Sequence, residues 1–285
     1  MSFSPQVFLI GAQKAGTTTL ASLLSQHPDI CLAKTKEPHY FTGNSHRSSA
    51  WYQAQFPNYQ DAICIDASTS YSFAPLSLEN SYQSKKCFHN IPQRIHALNP
   101  NAKFIYLLRE PIKRTYSSYW HSFNTGREDR SFPDAIKKDF FYVDVSNYYG
   151  QLALWLEYFS LDSFLFVLFE DMKNDPRQLV QKCFNFLGVG SDDIQINLQQ
   201  HRNKTQNVNY AGRQFNRIFK ELDYSGFGFI APSKVRKFIN THTVDSHKII
   251  PNISEAESNY LQEYFYEKNR NLARLTGLSL SQWQL

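Results

Sequence analysis

Long apolar runs are missing from this 285-residue chain. The longest uninterrupted one, Phe164 to Phe169, falls far short of the roughly 20 residues that a spanning helix requires, so no transmembrane helix is expected. Cysteine is scarce as well. Cys31, Cys64, Cys87 and Cys183 are widely spaced and include no Cys-x-x-Cys pair, which argues against a zinc site and for scattered thiols in a reducing compartment. Charge of one sign is never concentrated: no block of five or more like charges occurs, and basic residues fall in short pairs such as Lys85-Lys86, Lys113-Arg114 and Lys137-Lys138. With 30 Lys plus Arg against 25 Asp plus Glu the net charge is +5, which permits an anionic ligand without demanding nucleic acid. Met1 to Gln6 lacks the positive stretch that opens a secretory signal. Internal repeats and long Gly/Ser/Pro linkers are absent too, so residues 1–285 are expected to form a single cytoplasmic domain with no membrane or nucleic-acid partner.

Apolar residues make up 42% of the chain, with 23 Phe and 17 Tyr, so a large core is available. Val7 to Ile10 is a short apolar run ended by Gly11, and Thr17 to Ser25 follows as a helix with Leu20, Leu23 and Leu24 on one face. His27-Pro28-Asp29 stops it. Ile63 to Ile65, ending at Asp66, and Lys103 to Leu108, ending at Arg109-Glu110-Pro111, are further strands. Pro111 suits the first turn of a helix carrying Ile112, Tyr116 and Tyr119. Phe164 to Phe169 repeats the theme, and a helix from Pro176 to Leu187 follows with Asp175 as N-cap and Gly188 as its stop. Nearly continuous apolar strands alternating with helices predict an α/β fold: a P-loop-like parallel sheet flanked by helices. Residues 1–205 form this core. Residues 206–285 show helical patterns near Asn209 to Leu222, Lys234 to Asn240 and Ser254 to Leu275, read as a helical extension.

Ligands of open α/β sheets sit beyond the carboxyl ends of the strands. The first such loop runs Gly11-Ala-Gln-Lys14-Ala15-Gly16-Thr17-Thr18-Thr19. Its glycines allow a tight turn, and the hydroxyls and first-turn amides of the helix make an anion cradle. Taken alone, the loop is equally a glycine turn with threonines capping a helix. A Walker A loop has the same glycine spacing but places lysine where Thr17 stands here, with Lys14 inside the loop instead. Asp66 is the one obvious strand-end candidate for a magnesium ligand, which weakens a kinase or GTPase reading.

Gln13-Lys-Ala-Gly-Thr-Thr-Thr-Leu20 closely resembles the 5′-phosphosulfate loop of sulfotransferases that use 3′-phosphoadenosine 5′-phosphosulfate (PAPS). His27-Pro-Asp-Ile30 and Lys36-Glu-Pro-His-Tyr-Phe41 resemble the heparan-type and bacterial branch of that family. Its second element, a strand followed by Arg and eight residues later by Ser, is matched by Phe104 to Ser117, and the likeness covers roughly the first 190 residues.

The resemblance implies PAPS as donor, 3′-phosphoadenosine 5′-phosphate (PAP) as product and no metal. Lys14 would neutralise charge on the bridging oxygen, while Ala15, Gly16, Thr17, Thr18 and Thr19 frame the 5′-phosphate. Arg109 and Ser117 resemble the pair that holds the 3′-phosphate, a task for which the planar guanidinium fork is suited. Glu37 is the expected general base, and His39 the residue beside it that binds acceptor or shares the proton transfer. Pro38 biases Glu37 toward extended backbone, from which Glu37 and His39 project to the same side. The basic loop His201-Arg202-Asn203-Lys204-Thr205 is read as a closing loop, with Arg202 and Lys204 on the donor. Heparan-type enzymes usually carry a lysine where Ala67 stands in Asp66-Ala-Ser-Thr-Ser-Tyr71, which puts polysaccharide contacts in doubt. The expected acceptor is therefore the hydroxyl, or an amine or guanidine nitrogen, of a small molecule such as a bacterial secondary metabolite. Alternatives are a carbohydrate O-sulfotransferase, a P-loop nucleotide kinase, and a noncatalytic nucleotide- or RNA-binding protein.

Overall fold

The computed structural model describes residues 3–283 apart from 77–85, 140, 191–195, 199–209, 225–237, 239–242 and 244–249. Five parallel strands, β1 Val7–Gly11, β2 Ile30–Leu32, β3 Ile63–Asp66, β4 Lys103–Leu108 and β5 Phe164–Leu168, lie in the order β2-β3-β1-β4-β5. β1 is central. Val7, Phe8, Leu9 and Ile10 are all buried, as a strand covered on both faces demands. In-register pairing places Phe8 opposite Phe104 and Phe104 opposite Phe164, and the three rings stack at centroid distances of 5.8 and 4.7 Å. This aromatic ladder ties β1, β4 and β5 into one core. The ladder between β1 and β4 shifts register between Leu9 and Gly11, where the chain leaves the sheet for the first loop.

Helix α1, Thr17–Leu24, buries Leu20, Leu23 and Leu24 as its spacing predicts. The short helix α2, Ser49–Gln53, and helix α3, Ile91–Leu98, precede β4. Helix α4, Pro111–Asn124, starts on Pro111 and is capped by Glu110, whose carboxylate accepts from the amides of Ile112 and Lys113, each at 2.8 Å. Helices α5 Phe132–Lys138, α6 Phe141–Asp144 and α7 Tyr148–Leu156 lead to β5, and α8 Phe169–Asn174 follows it directly. Helix α9, Pro176–Leu187, has the expected Asp175 cap and Gly188 stop.

The strand β2 is absent from the sequence reading; only three residues long, it pairs with β3 at the sheet edge. The C-terminal third contains α10 Tyr210–Tyr224 and α11 Glu255–Thr276, the latter opened by a Ser254–Glu257 capping box. The helix expected over 234–240 lies outside the described residues apart from Phe238. This third is more than a cover: Leu272, Leu280 and Trp283 belong to the same apolar core as β1. Among the described residues no helix is long and apolar enough to cross a membrane.

Candidate active site

The strand order reverses around β1, so the loops leaving β1, β3 and β4 meet at the carboxyl edge of the sheet, where an open α/β sheet forms its crevice. The loop from β1 turns sharply. Lys14 adopts φ 70° and Gly16 φ 93°, a left-handed conformation that costs a side-chain-bearing residue about 1–2 kcal/mol. A Cβ at 16 would also displace the tip of Met172, 2.5 Å from its Cε, and press on the Phe169 ring, 3.0 Å from its Cδ2. A Cβ on Gly11 would lie 2.5 Å from Ser72 Oγ, which shows how tightly the loop after β3 is pressed against the start of the first loop.

The two donor-binding motifs read from the sequence meet. Arg109 Nη1 donates to the Lys14 carbonyl oxygen at 2.9 Å, which holds the loop in its left-handed turn. The guanidinium lies over the Phe169 ring at 4.9 Å, and the Arg109 carbonyl accepts from the Tyr148 hydroxyl at 2.8 Å. Its Nε is buried and has no partner among the described residues. A guanidinium N–H left free beside the first loop fits a phosphate ligand. Ala15 and Thr17 are buried, Thr19 is half-buried and Thr18 faces solvent. Ser117 is half-buried on α4, and the next residue, Ser118, donates to Gln13 Oε1 at 3.2 Å, locking α4 onto the loop.

Cations dominate this corner. Burial, then the charges of Arg109, Arg127 and Arg114, hold Lys14 below the ordinary lysine pKa. Burial, followed by Lys14 and Arg127, drives His121 down to about 3, so its imidazole is neutral near pH 7. The sequence assigns no site role to Arg114, seen only as half of a surface basic pair, nor to His121 or Arg127. His121 lies one helical turn beyond Ser117 on α4, so helical spacing alone marks it as a neighbour of the site. Arg202 and Lys204 lie outside the described residues.

The residues expected to serve the acceptor lie on the segment after β2 and the loop after β3. Glu37 Oε1 accepts from Lys36 Nζ at 2.8 Å, and Oε2 accepts from Thr69 Oγ1 at 2.9 Å and the Thr69 amide at 3.3 Å. Burial raises the Glu37 pKa, but Lys36, His39 and Thr69 together outweigh it and leave the carboxyl below its ordinary value, ionised at neutral pH. His39 Nε2 lies 3.6 Å from Glu37 Oε2, and Nδ1 lies 2.8 Å from Ser70 Oγ. The two side chains converge as expected, although His39 sits at φ 51° rather than in extended backbone. What orients it is the loop after β3, since Ser68 Oγ accepts from its amide at 3.0 Å.

Asp66 has a different task from metal binding. Its Oδ2 accepts from the hydroxyls of Tyr52 and Tyr71 at 2.6 and 2.7 Å, and its Oδ1 from the amide and hydroxyl of Ser68 at 3.0 and 2.6 Å. Four donors saturate the carboxylate. It organises the loop that carries Thr69 and Ser70.

The sequence model of the sulfotransferase domain family matches residues 4–271. Human heparan sulfate glucosamine 3-O-sulfotransferase 6 is 30% identical over 194 residues, covering 65% of this chain and 52% of the relative, so the chain spans about half of that protein's length. Mouse heparan sulfate glucosamine 3-O-sulfotransferase 5 is 25% identical over 292 residues, 97% of this chain and 73% of that one. Among solved structures, a sulfotransferase from Alicyclobacillus acidocaldarius superposes with a TM-score of 0.68 at 22% identity, covering 99% of this chain and 100% of that chain. A mouse sulfotransferase complexed with PAP superposes with a TM-score of 0.50 at 16% identity, covering 95% and 87%. These superpositions speak for the fold, a parallel sheet flanked by helices, and the match across nearly the whole sequence speaks for descent: the chain belongs to the sulfotransferase domain family.

Proposed function

We propose that this chain is a single-domain, PAPS-dependent sulfotransferase that transfers a sulfuryl group to a hydroxyl of a low-mass acceptor and releases PAP. The observation that carries this is the bond between Arg109 and the Lys14 carbonyl, which brings the two motifs read from the sequence into direct contact. When bound, PAPS supplies an activated sulfuryl group on a good leaving oxygen. Lys14 then neutralises charge gathering on the bridging oxygen as its bond to sulfur breaks. Ala15, Gly16, Thr17, Thr18 and Thr19 cradle the 5′-phosphate, and Arg109 with Ser117 grips the 3′-phosphate. Glu37, ionised by its neighbours, takes the acceptor proton as the new oxygen–sulfur bond forms, and His39 orients the acceptor beside it. All four cysteines are free thiols, which supports a reducing, cytoplasmic setting.

The names of the sequence relatives favour a second reading for the acceptor, a carbohydrate hydroxyl. Ala67 tells against it. Titration with PAP, ATP and GTP, with and without chelator, tests the donor: tight PAP binding insensitive to chelator is expected, and magnesium-dependent preference for ATP or GTP would overturn the reading. A mass-spectrometric screen for an added sulfuryl group across small hydroxylated compounds, amines and oligosaccharides separates the acceptors.

A further inference from the structure

One buried charge has no part in the chemistry above. Arg114 lies in α4, five residues beyond Arg109, and is fully excluded from solvent. A guanidinium carries five N–H donors, yet among the described residues only Nη2 is bonded, to the Tyr142 carbonyl oxygen at 3.1 Å. Nε and Nη1 are buried and have no partner among the described residues. Arg114 takes part in no ion pair among the described residues. The carboxylate one turn back, Glu110, is committed to the amides of Ile112 and Lys113.

The groups that face Arg114 are the phenols of Tyr106, Tyr142 and Tyr148 and the guanidinium of Arg109. Burial pushes all three phenols well above their ordinary pKa, so none of them is an anion at neutral pH. Burial lowers Arg114 to about 10 in spite of those phenols, which leaves it protonated near pH 7. A trapped water can satisfy the free N–H groups but cannot cancel the charge, and a buried cation without a counter-ion is strongly disfavoured. Its field reaches the phosphate loop, where it is one of the three arginine charges that depress Lys14. It also lies beside Tyr148, whose hydroxyl holds the Arg109 carbonyl at 2.8 Å.

We infer that Arg114 is a positioning residue for the donor: a buried cation behind the phosphate loop whose counter-charge is supplied by the bound nucleotide and not by the protein. The inference rests on the donor reading above. It explains why the fold tolerates the unpaired charge, since Lys14, Arg109 and Arg114 repel one another in the free protein and a polyanion relieves all three. The donor therefore gains affinity from a residue it does not touch.

The test uses the full chain, with PAP as probe, titrated at several salt concentrations for wild type, Arg114→Met and Arg114→Lys. Arg114→Gln is the second neutral variant should the methionine variant fail to fold, and thermal unfolding without PAP verifies each protein. At an effective dielectric of about 20, two unit charges roughly 10 Å apart gain about tenfold in affinity. PAP carries several charges, so a neutral residue at 114 is expected to weaken PAP binding at least tenfold and to make its affinity less steeply dependent on salt. Lysine, which keeps the charge and loses the fork, is expected to restore most of the loss. Wild-type affinity and salt slope in the neutral variant would overturn the inference, as would a lysine variant as weak as the neutral one. A wild-type chain that binds no PAP sinks the donor reading together with this inference; tight wild-type binding with an indifferent neutral variant sinks this inference alone.

Discussion

Replacing Glu37 by glutamine separates chemistry from folding. The side chain is 28% exposed and accepts three hydrogen bonds, from Lys36 Nζ, Thr69 Oγ1 and the Thr69 amide. Glutamine keeps the shape but removes the charge, and its amide nitrogen must face either the Lys36 ammonium or the Thr69 donors. For a pair about a quarter exposed the lost ionic attraction is worth about 0–1 kcal/mol, and one compromised hydrogen bond adds about 1 kcal/mol, so the folded state should lose about 1–2 kcal/mol. A general base contributes about 10²–10⁴ in rate, which is about 3–5 kcal/mol of barrier. The expected result is a fall in single-turnover sulfuryl transfer of at least about a hundredfold. PAP affinity should stay within about threefold, because the hydrogen bonds of Glu37 go to Lys36 and Thr69, neither of which is an expected donor residue. Transfer is measured by mass spectrometry on an acceptor returned by the screen, and PAP binding by calorimetry. A Glu37→Gln protein that transfers within about threefold of wild type refutes the base assignment, and one whose PAP affinity collapses moves Glu37 to the donor site.

Four other outcomes follow from the same geometry. Lys14→Ala should abolish transfer, and wild-type turnover in that variant would remove Lys14 from the chemistry. Because the Lys14 pKa is depressed, its charge is lost at a lower pH than that of an exposed lysine: as pH rises through that depressed value, PAP affinity should fall while the donor-free protein becomes more stable. Calorimetric and thermal titrations from pH 7 to 10.5 on wild type and Lys14→Met check both signs, and parallel curves for the two proteins would contradict the origin given. Arg109→Lys keeps the charge but cannot at once bond the Lys14 carbonyl and stack on Phe169, so a loss of about 2 kcal/mol, roughly 30-fold in PAP affinity, is expected; affinity within twofold would dismiss the fork. Gly16→Ala forces a side chain into φ 93° and against Phe169, with an expected cost of about 1–3 kcal/mol in stability, read as a drop in Tm together with weaker PAP binding.

The central strands were plain in the sequence because a strand covered on both faces must be apolar throughout, and Val7 to Ile10, Lys103 to Leu108 and Phe164 to Leu168 are so with the sole exception of Lys103 at its strand's exposed start. β2 was not, since three residues after a proline turn carry no period. Lys14 and Arg109 were legible as motifs, and their contact is what a central strand flanked by β4 produces. Arg114 was not legible: a basic pair with Lys113 suggests a solvated surface, and only the packing of α4 against Tyr106, Tyr142 and Tyr148 excludes water from one member of it. Glu37 and His39 were paired for a backbone reason that holds for neither the φ of His39 nor its anchoring by Ser68 and Ser70.

The indole of Trp283 donates to Glu170 Oε2 at 3.3 Å, while Oε1 of the same carboxylate accepts from the Glu110 amide at 3.1 Å, next to Arg109. A nascent polypeptide that has emerged from the ribosome only as far as β5 and α8 thus already holds Lys14, Arg109 and Glu37 but lacks the clasp that fixes Glu170. The carboxylate beside Arg109 is thus fixed by a segment more than 110 residues downstream of it, and because Leu272, Leu280 and Trp283 belong to the β1 core, loss of that segment would unsettle the sheet as well as Glu170.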